Sequence, residues 1–232
     1  MVLESVADTS LWELNPSFNF GAQSDVPSGT LGPMAGLAKS RLLVKFDLAE
    51  LPSGVVIDGA TLRLSVVISP SGRANSVFEM RRVVFDWGEG NKKGAEPGGA
   101  EATAGEATWE HRLHPSTEWD DPGGDIGTDF AQDSSAEATV FDLGTYEFEF
   151  NAAGIADLVA MLADSDQNFG WAIISRSEGT AKTARRWATR ENSQLSLRPQ
   201  LEIQYSNLVP PPEPEIRSTE LGSSSISIRI LA

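Results

Sequence analysis

The chain has 232 residues, with 18 basic and 33 acidic side chains, so its formal charge at pH 7 is −15. This charge repels a phosphate backbone, and without a basic stripe we expect no nucleic-acid partner. The absence of cysteine excludes zinc fingers, disulfide scaffolds, iron–sulfur sites and thiol nucleophiles. Every apolar run is far shorter than the ~18 residues that cross a bilayer, so we expect no membrane span.

Alternating apolar and polar residues predict antiparallel strands along most of the chain. The clearest pattern covers residues 41–48, where every second residue from Leu42 is apolar while Lys45 and Asp47 lie between them. Such alternation is typical of a strand with one buried and one solvent-exposed face. Further strands are predicted over residues 60–68, 77–85, 138–143, 146–150, 171–175, 183–189 and 201–205.

One helix is predicted, over residues 152–163. Apolar side chains at Ile155, Leu158 and Leu162 recur with helical spacing, and Asn151 precedes them as a candidate N-cap. Many short strands separated by turns, with a single short helix, are typical of an all-β sandwich.

A Gly-, Glu- and Asp-rich segment separates these strands between residues 88 and 133, and it is far longer than an ordinary connection of ~4–6 residues. Long loops on a rigid β scaffold often contact ligands. Trp109 and Trp119 lie in this segment, and exposed indole faces stack well on sugar rings. Carboxylates and turn carbonyls between Trp119 and Asp125 predict a calcium site, with Asp121 and Asp125 as ligands.

Other chemistry remains open in the same sequence. His111 and His114 are three residues apart and form either a transition-metal pair or a solvated surface pair. Glu147 and Glu149 alternate with aromatic residues, so they form either a glycosidase-type carboxylate pair or the polar face of a strand. The glycines between residues 88 and 94 do not have the spacing of a phosphate-binding loop.

The proline-rich stretch 208–215 predicts a stiff linker. It divides a main domain, residues 1–207, from residues 216–232. That last segment contains an alternating strand pattern over residues 225–230, and we interpret it as the start of a truncated following module or as a free tail.

Several short blocks occur in a shared order that resembles one known family. They are Asp8 with Asn19-Phe20-Gly21, the strand 41–48, Ala60-Thr61-Leu62-Arg63-Leu64, Trp87-Gly88-Glu89-Gly90, Gly105 to Trp109, Trp119 with Gly123-Gly124-Asp125, Asn168 to Trp171, Thr189-Arg190-Glu191, and Arg198 to Tyr205. Together they are similar to the DNRLRE domain, the disaggregatase-related repeat of large secreted proteins.

The resemblance implies a jelly-roll β-sandwich that is not an enzyme and is secreted or displayed on a cell surface. It also implies a module of a longer chain that binds carbohydrate and carries structural calcium. The leading hypothesis is therefore binding of a polysaccharide or surface glycan, with Trp109, Arg112, Trp119, Asp121 and Arg190 as contact residues. The alternatives are a spacer or assembly module without glycan affinity, and a glycoside-cleaving enzyme. For Arg190 and Glu191, the structural alternative is that the pair pins the sheet before the closing strand.

Overall fold

The computed structural model describes residues 1–95 and 98–207, so the linker and tail predictions at 208–232 lie outside the described residues. The described part contains fourteen β-strands and one α-helix, joined by turns and loops. The strands are β1 Val2–Trp12, β2 Phe18–Asn19, β3 Asp25–Thr30, β4 Lys39–Phe46, β5 Val55–Ile68, β6 Ser76–Arg82, β7 Ala100–Glu101, β8 His111–Leu113, β9 Thr117–Glu118, β10 Ala136–Val140, β11 Gly144–Glu149, β12 Trp171–Ser175, β13 Arg185–Ala188 and β14 Gln200–Asn207; the helix is α1 Ala152–Ala163.

Two groups of antiparallel strands lie face to face and share two strands. The first group contains β14, β5, β13 and β11, and the second contains β4, β12, β6 and β10. Strand β1 pairs with β14 through Val2–Glu4 and with β4 from Ser5 onward, and the β1–β4 pairing contains a register shift between Ser5 and Ala7. Strand β3 likewise pairs first with β13 and then with β4. The shared strands close the sheet on itself.

The main hydrophobic core fills the space between the two strand groups. Its largest fully buried members include Trp171, Trp187, Phe46, Phe78 and Phe148. Burial of aromatic and branched side chains on both inner faces is the dominant stabilising term of such a sandwich.

A second core lies on the outer face of β4 and β12, beneath the long segment 83–131. Leu43, Ala172 and Ile174 project to this side and pack with residues of that segment. The prediction that strand 41–48 is exposed on one face is therefore wrong, because β4 is buried on both faces as far as Val44. Between the two end residues of β4, Lys45 is the one residue that is partly exposed.

The prediction of an all-β chain with one short helix is confirmed. Helix α1 has the predicted bounds, and the Asn151 side chain accepts a hydrogen bond from the Gly154 amide at 3.0 Å, as expected of an N-cap. Strands β1 and β3 were not among the predicted strands. Within residues 1–95 and 98–207, no helix has the length and apolar character that spanning a bilayer requires.

Candidate functional site

Both tryptophans of the long segment are buried in the second core. Trp109 is 7% exposed and Trp119 is 4% exposed. Trp119 packs on Phe130, and its indole N–H donates to the Thr108 carbonyl oxygen at 3.0 Å. This burial leaves neither residue with the open indole face that sugar stacking requires.

Arg41 binds the turn that the sequence predicts as a calcium site. Its guanidinium donates to the carbonyl oxygens of Gly123, at 3.0 Å, and of Gly124. The same group forms a two-pronged ion pair with Glu178, with both N–O distances at 2.8 Å. The turn carbonyls that were expected to hold a metal therefore already bind a cation from the protein itself.

The predicted calcium ligands Asp121 and Asp125 are organised by a different acid. A single Asp129 carboxylate oxygen accepts hydrogen bonds from the backbone amides of Asp120 and Asp125, at 2.9 and 2.8 Å. Within the described ranges, Asp121 and Asp125 belong to no group of three close metal-ligand side chains. The loop calcium site at Asp121 and Asp125 stays a prediction.

Arg112 and the histidine pair lie near the surface of the long segment. Arg112 pairs with Asp86 and its guanidinium lies 5.1 Å from the centre of the Phe85 ring. The rings of His111 and His114 meet edge to face at 5.0 Å. In the part of the chain that the structure describes, no acidic residue joins both histidines in a group of metal-ligand geometry.

A polar cleft of about 320 Å³ opens beside the β8–β9 hairpin. Its lining combines acidic, imidazole and indole side chains with one proline: Glu110, His111, Glu118, Trp119, Asp120 and Pro122. The volume is at the lower end of the ~300–1,000 Å³ range of small-molecule sites. This cleft is the concave feature that the 109–125 segment offers to a ligand.

A second acidic cluster lies where β1 meets two distant loops, and we call Asp8, Glu89 and Glu191 the carboxylate triad. One ligand atom from each lies within 4.8 Å of the others. Arg190 donates to Glu89 through Nε at 2.6 Å and Nη2 at 3.1 Å, and its Nε is 3.0 Å from Glu191 Oε1. The predicted contact residue Arg190 therefore belongs to this cluster and is engaged in ion pairs there.

Main-chain contacts fix the triad in place. The Asp8 amide donates to Glu89 Oε1 at 2.9 Å, and the Arg190 amide donates to Asp8 Oδ2 at 2.8 Å. The Asn19 side-chain amide donates to the Glu89 carbonyl oxygen at 2.7 Å. Gly90 has a φ of +77°, and a Cβ there would overlap the Asn19 side chain. The loop that carries Glu89 is thus held tightly against the segment that carries Asn19.

Burial raises the pKa of two members of the triad. Asp8 is fully buried, and desolvation raises its pKa well above the ordinary value, with the neighbouring Glu191 charge acting in the same direction. Desolvation also raises the pKa of Glu191, although Arg190 opposes that shift. The site therefore concentrates more negative charge than its surroundings stabilise.

The carboxylates of Glu147 and Glu149 lie on the exposed face of β11, as the alternation predicts. Glu147 accepts a hydrogen bond from Arg63 Nε at 2.9 Å, and Arg63 also pairs with Glu202 on β14. This cross-strand network gives Glu147 a structural partner on the polar face of the sheet.

Sequence reasoning missed Arg41 as a functional residue and gave Asp8 and Glu89 no chemical role. Arg41 is the first residue of a clear strand pattern, and a single arginine in a strand matches no sequence motif for a functional site. Asp8 and Glu89 are 81 residues apart, so no local spacing connects them.

No family model matches this sequence, and no curated protein matches it either.

Proposed function

We propose that the chain is a non-catalytic carbohydrate-binding or adhesion module of a larger secreted protein, and that it binds a neutral glycan in the cleft beside the β8–β9 hairpin. The supporting observation is the cleft of about 320 Å³, which lies within the segment 109–125. Its carboxylates suit sugar hydroxyl groups, which donate hydrogen bonds to acidic oxygens.

Charge favours a neutral ligand over an acidic one. The formal charge of −15, together with Glu110, Glu118 and Asp120 at the cleft, repels uronic acids and sulfated sugars. In this proposal, Glu118 and Glu110 orient the sugar by accepting hydrogen bonds. Neighbouring domains of the longer chain would position the module at a cell surface.

We extend the proposal to a jelly-roll topology of the DNRLRE type. Two strand groups that share β1 and β3 are compatible with a jelly roll. Blocks on which the resemblance rests also meet in space, since Asp8, Asn19 and Glu89 are joined by hydrogen bonds. The block containing Arg190 reaches the same place.

Burial of the two tryptophans favours a second candidate function. With Trp109 and Trp119 committed to the second core, the long segment serves as a cover for the sheet. A spacer or assembly module without glycan affinity needs no more than such a cover.

Binding of the full chain to immobilised neutral, amino and acidic polysaccharides tests the proposal. We expect saturable binding to a neutral glycan, and we expect Glu118→Gln to weaken it about tenfold by removing a charged acceptor. Glu118 is exposed and forms no core contact, so the variant should fold normally. Alanine variants of Trp109 and Trp119 are unsuitable here, because they would damage the second core.

Glu50→Gln is the matched control, because Glu50 is an exposed acid in a turn that does not line the cleft. Equal weakening by Glu50→Gln and Glu118→Gln would point to general charge rather than to the cleft. Absence of binding across the panel would overturn the proposal in favour of the spacer function.

A further inference from the structure

The carboxylate triad joins three segments that are far apart in sequence. Asp8 lies in β1, Glu89 lies in the loop after β6, and Glu191 follows β13. We propose that the triad binds one divalent cation of the calcium type, which fastens these segments together. The inference is independent of the proposed glycan binding.

Unpartnered oxygen atoms are the first observation in favour. Asp8 is completely buried, and among the described residues its Oδ1 atom has no hydrogen-bond partner. The Oε2 atom of Glu191 is likewise buried, and the described part of the chain supplies it with no donor. A buried carboxylate oxygen without a donor is costly, and a bound cation satisfies it directly.

Charge balance is the second observation. Three carboxylates meet at the triad, and Arg190 is the cation that pairs with them. Its guanidinium contacts Glu89 and the Oε1 atom of Glu191. It does not contact Asp8 Oδ1 or Glu191 Oε2, which are the two buried oxygens without a donor among the described residues. When all three carboxylates are ionised, Arg190 leaves a net charge of −2, which a divalent ion would neutralise.

The donor set favours calcium among divalent ions, and its dimensions are compatible with that ion. All three ligands are carboxylates, which are hard oxygen donors and suit calcium or magnesium better than softer metals. Two ligands of one calcium ion at 2.3–2.6 Å lie at most about 5 Å apart, and the triad atoms lie within 4.8 Å. Magnesium demands near-ideal octahedral geometry and gives up its waters reluctantly, so three carboxylates fixed by the fold suit the more adaptable calcium ion better.

The triad is built on rigid supports, so it does not need to assemble from flexible loops. The Asn19 side chain donates a hydrogen bond to the backbone carbonyl of Glu89. Thr189, two residues before Glu191, donates its hydroxyl to the Gln23 carbonyl oxygen. Since the unfolded chain separates the three ligands widely, a cation that binds them would bind the folded state alone and stabilise it.

Thermal unfolding of the full chain is the first test. After treatment with a chelator, the protein is titrated with calcium and separately with magnesium at about 0.15 M salt, which screens diffuse surface binding. We expect calcium to raise the Tm saturably, by about 5–10 °C when its concentration is 100-fold above Kd, and magnesium to act more weakly. A Tm that responds to neither metal at millimolar concentration would overturn the proposal.

Variants locate the site. Asp8→Asn and Glu191→Gln preserve side-chain shape but remove charge, so we expect both to abolish the calcium response. Asp125→Asn is the matched control, since it removes an acid from the loop where the sequence predicts calcium. If Asp125→Asn abolished the response while Glu191→Gln kept it, the triad assignment would be wrong.

Metal content gives a measurement that does not depend on stability. After equilibration with calcium and removal of free ion, elemental analysis should find one calcium per wild-type chain and none in Glu191→Gln. Glu191 is only partly buried, so this variant serves if Asp8→Asn fails to fold. An equal calcium content in wild type and Glu191→Gln would contradict the inference.

Discussion

Two charged clusters fasten loops to the sandwich, and they differ in the source of their positive charge. At the first, Arg41 joins Glu178 to the carbonyl oxygens of Gly123 and Gly124. At the second, the carboxylate triad contains three acids, and among residues 1–95 and 98–207 its ion pairs come from Arg190 alone. One cluster is balanced by the chain itself, while the other carries an excess of negative charge.

The comparison shows that a high density of acidic residues in the sequence does not by itself leave buried carboxylate oxygens without a donor. The turn at 119–125 is rich in aspartate, yet a guanidinium binds its carbonyl oxygens. The acids of the triad are scattered along the sequence and form no acidic run. The triad nevertheless contains buried oxygen atoms that have no donor among the described residues. What distinguishes the two clusters is whether buried carboxylate oxygens are left without a donor among the described residues, as Asp8 Oδ1 and Glu191 Oε2 are.

The largest effect is expected from removal of the internal cation at the first cluster. Arg41→Met leaves the Glu178 carboxylate and two turn carbonyls without a partner in a largely buried setting. Breaking one side of a buried ion pair costs about 3–5 kcal/mol, and we expect that loss in the free energy of unfolding measured with urea.

Arg63→Met is the control for this measurement. Arg63 pairs with Glu147 and Glu202 on the exposed face of the sheet, where an ion pair contributes much less. The double variant Arg41→Met with Glu178→Met should regain part of the lost stability, because no buried charge is then left alone. Equal losses of unfolding free energy in Arg41→Met and Arg63→Met would show that the ion pair of the first cluster contributes no more than an exposed one.

An intermediate effect is expected at Trp119, beside the same cluster. Trp119→Phe removes the donor to the Thr108 carbonyl oxygen and leaves that oxygen unpartnered in the second core. We expect a loss of about 1–3 kcal/mol in the free energy of unfolding. Trp12→Phe is the matched control, because Trp12 is equally buried but its indole N–H has no partner among the described residues. A loss at Trp12 as large as that at Trp119 would assign the effect to volume alone.

The sequence predicts the elements of this fold well where burial follows a simple period. Helix α1 and strand β12 have the predicted bounds, since their apolar residues are regular or continuous. Strand β1 was missed because its buried positions include Asp8, Thr9 and Ser10. Polar residues that are buried for a site break the alternation by which a strand is recognised.

The candidate site was harder to predict than the fold because both clusters are assembled from distant segments. Trp109 and Trp119 were predicted as candidate glycan contacts because long loops on a rigid scaffold often carry ligand contacts, and their packing role could not be read from the sequence of the loop. A usable signal was present in β4 and β12, where Leu43 and Ile174 make the apolar runs continuous. Such runs are typical of strands that are buried on both faces, and they imply a cover on the outer side.

The smallest effect concerns Asp157, which combines features of both clusters. It pairs with Arg82 at 3.2 Å and accepts a hydrogen bond from Ser135 at 2.7 Å, yet desolvation dominates and raises its pKa. The folded protein therefore holds this proton more tightly than the unfolded chain does. The contribution of Asp157 to stability is complete below about pH 4 and declines as the pH rises through the raised pKa.

Urea unfolding of wild type and Asp157→Asn between pH 3.5 and 7 measures this contribution as the difference between the two. As the pH rises, the free energy of unfolding of wild type should fall relative to that of Asp157→Asn. The fall is at most about 1.4 kcal/mol per pH unit, because a single proton is involved. A shift in favour of wild type would mean that Arg82 outweighs desolvation. Asp157 would then resemble the balanced Arg41 cluster, and the contrast between balanced and unbalanced carboxylates would apply to the triad alone.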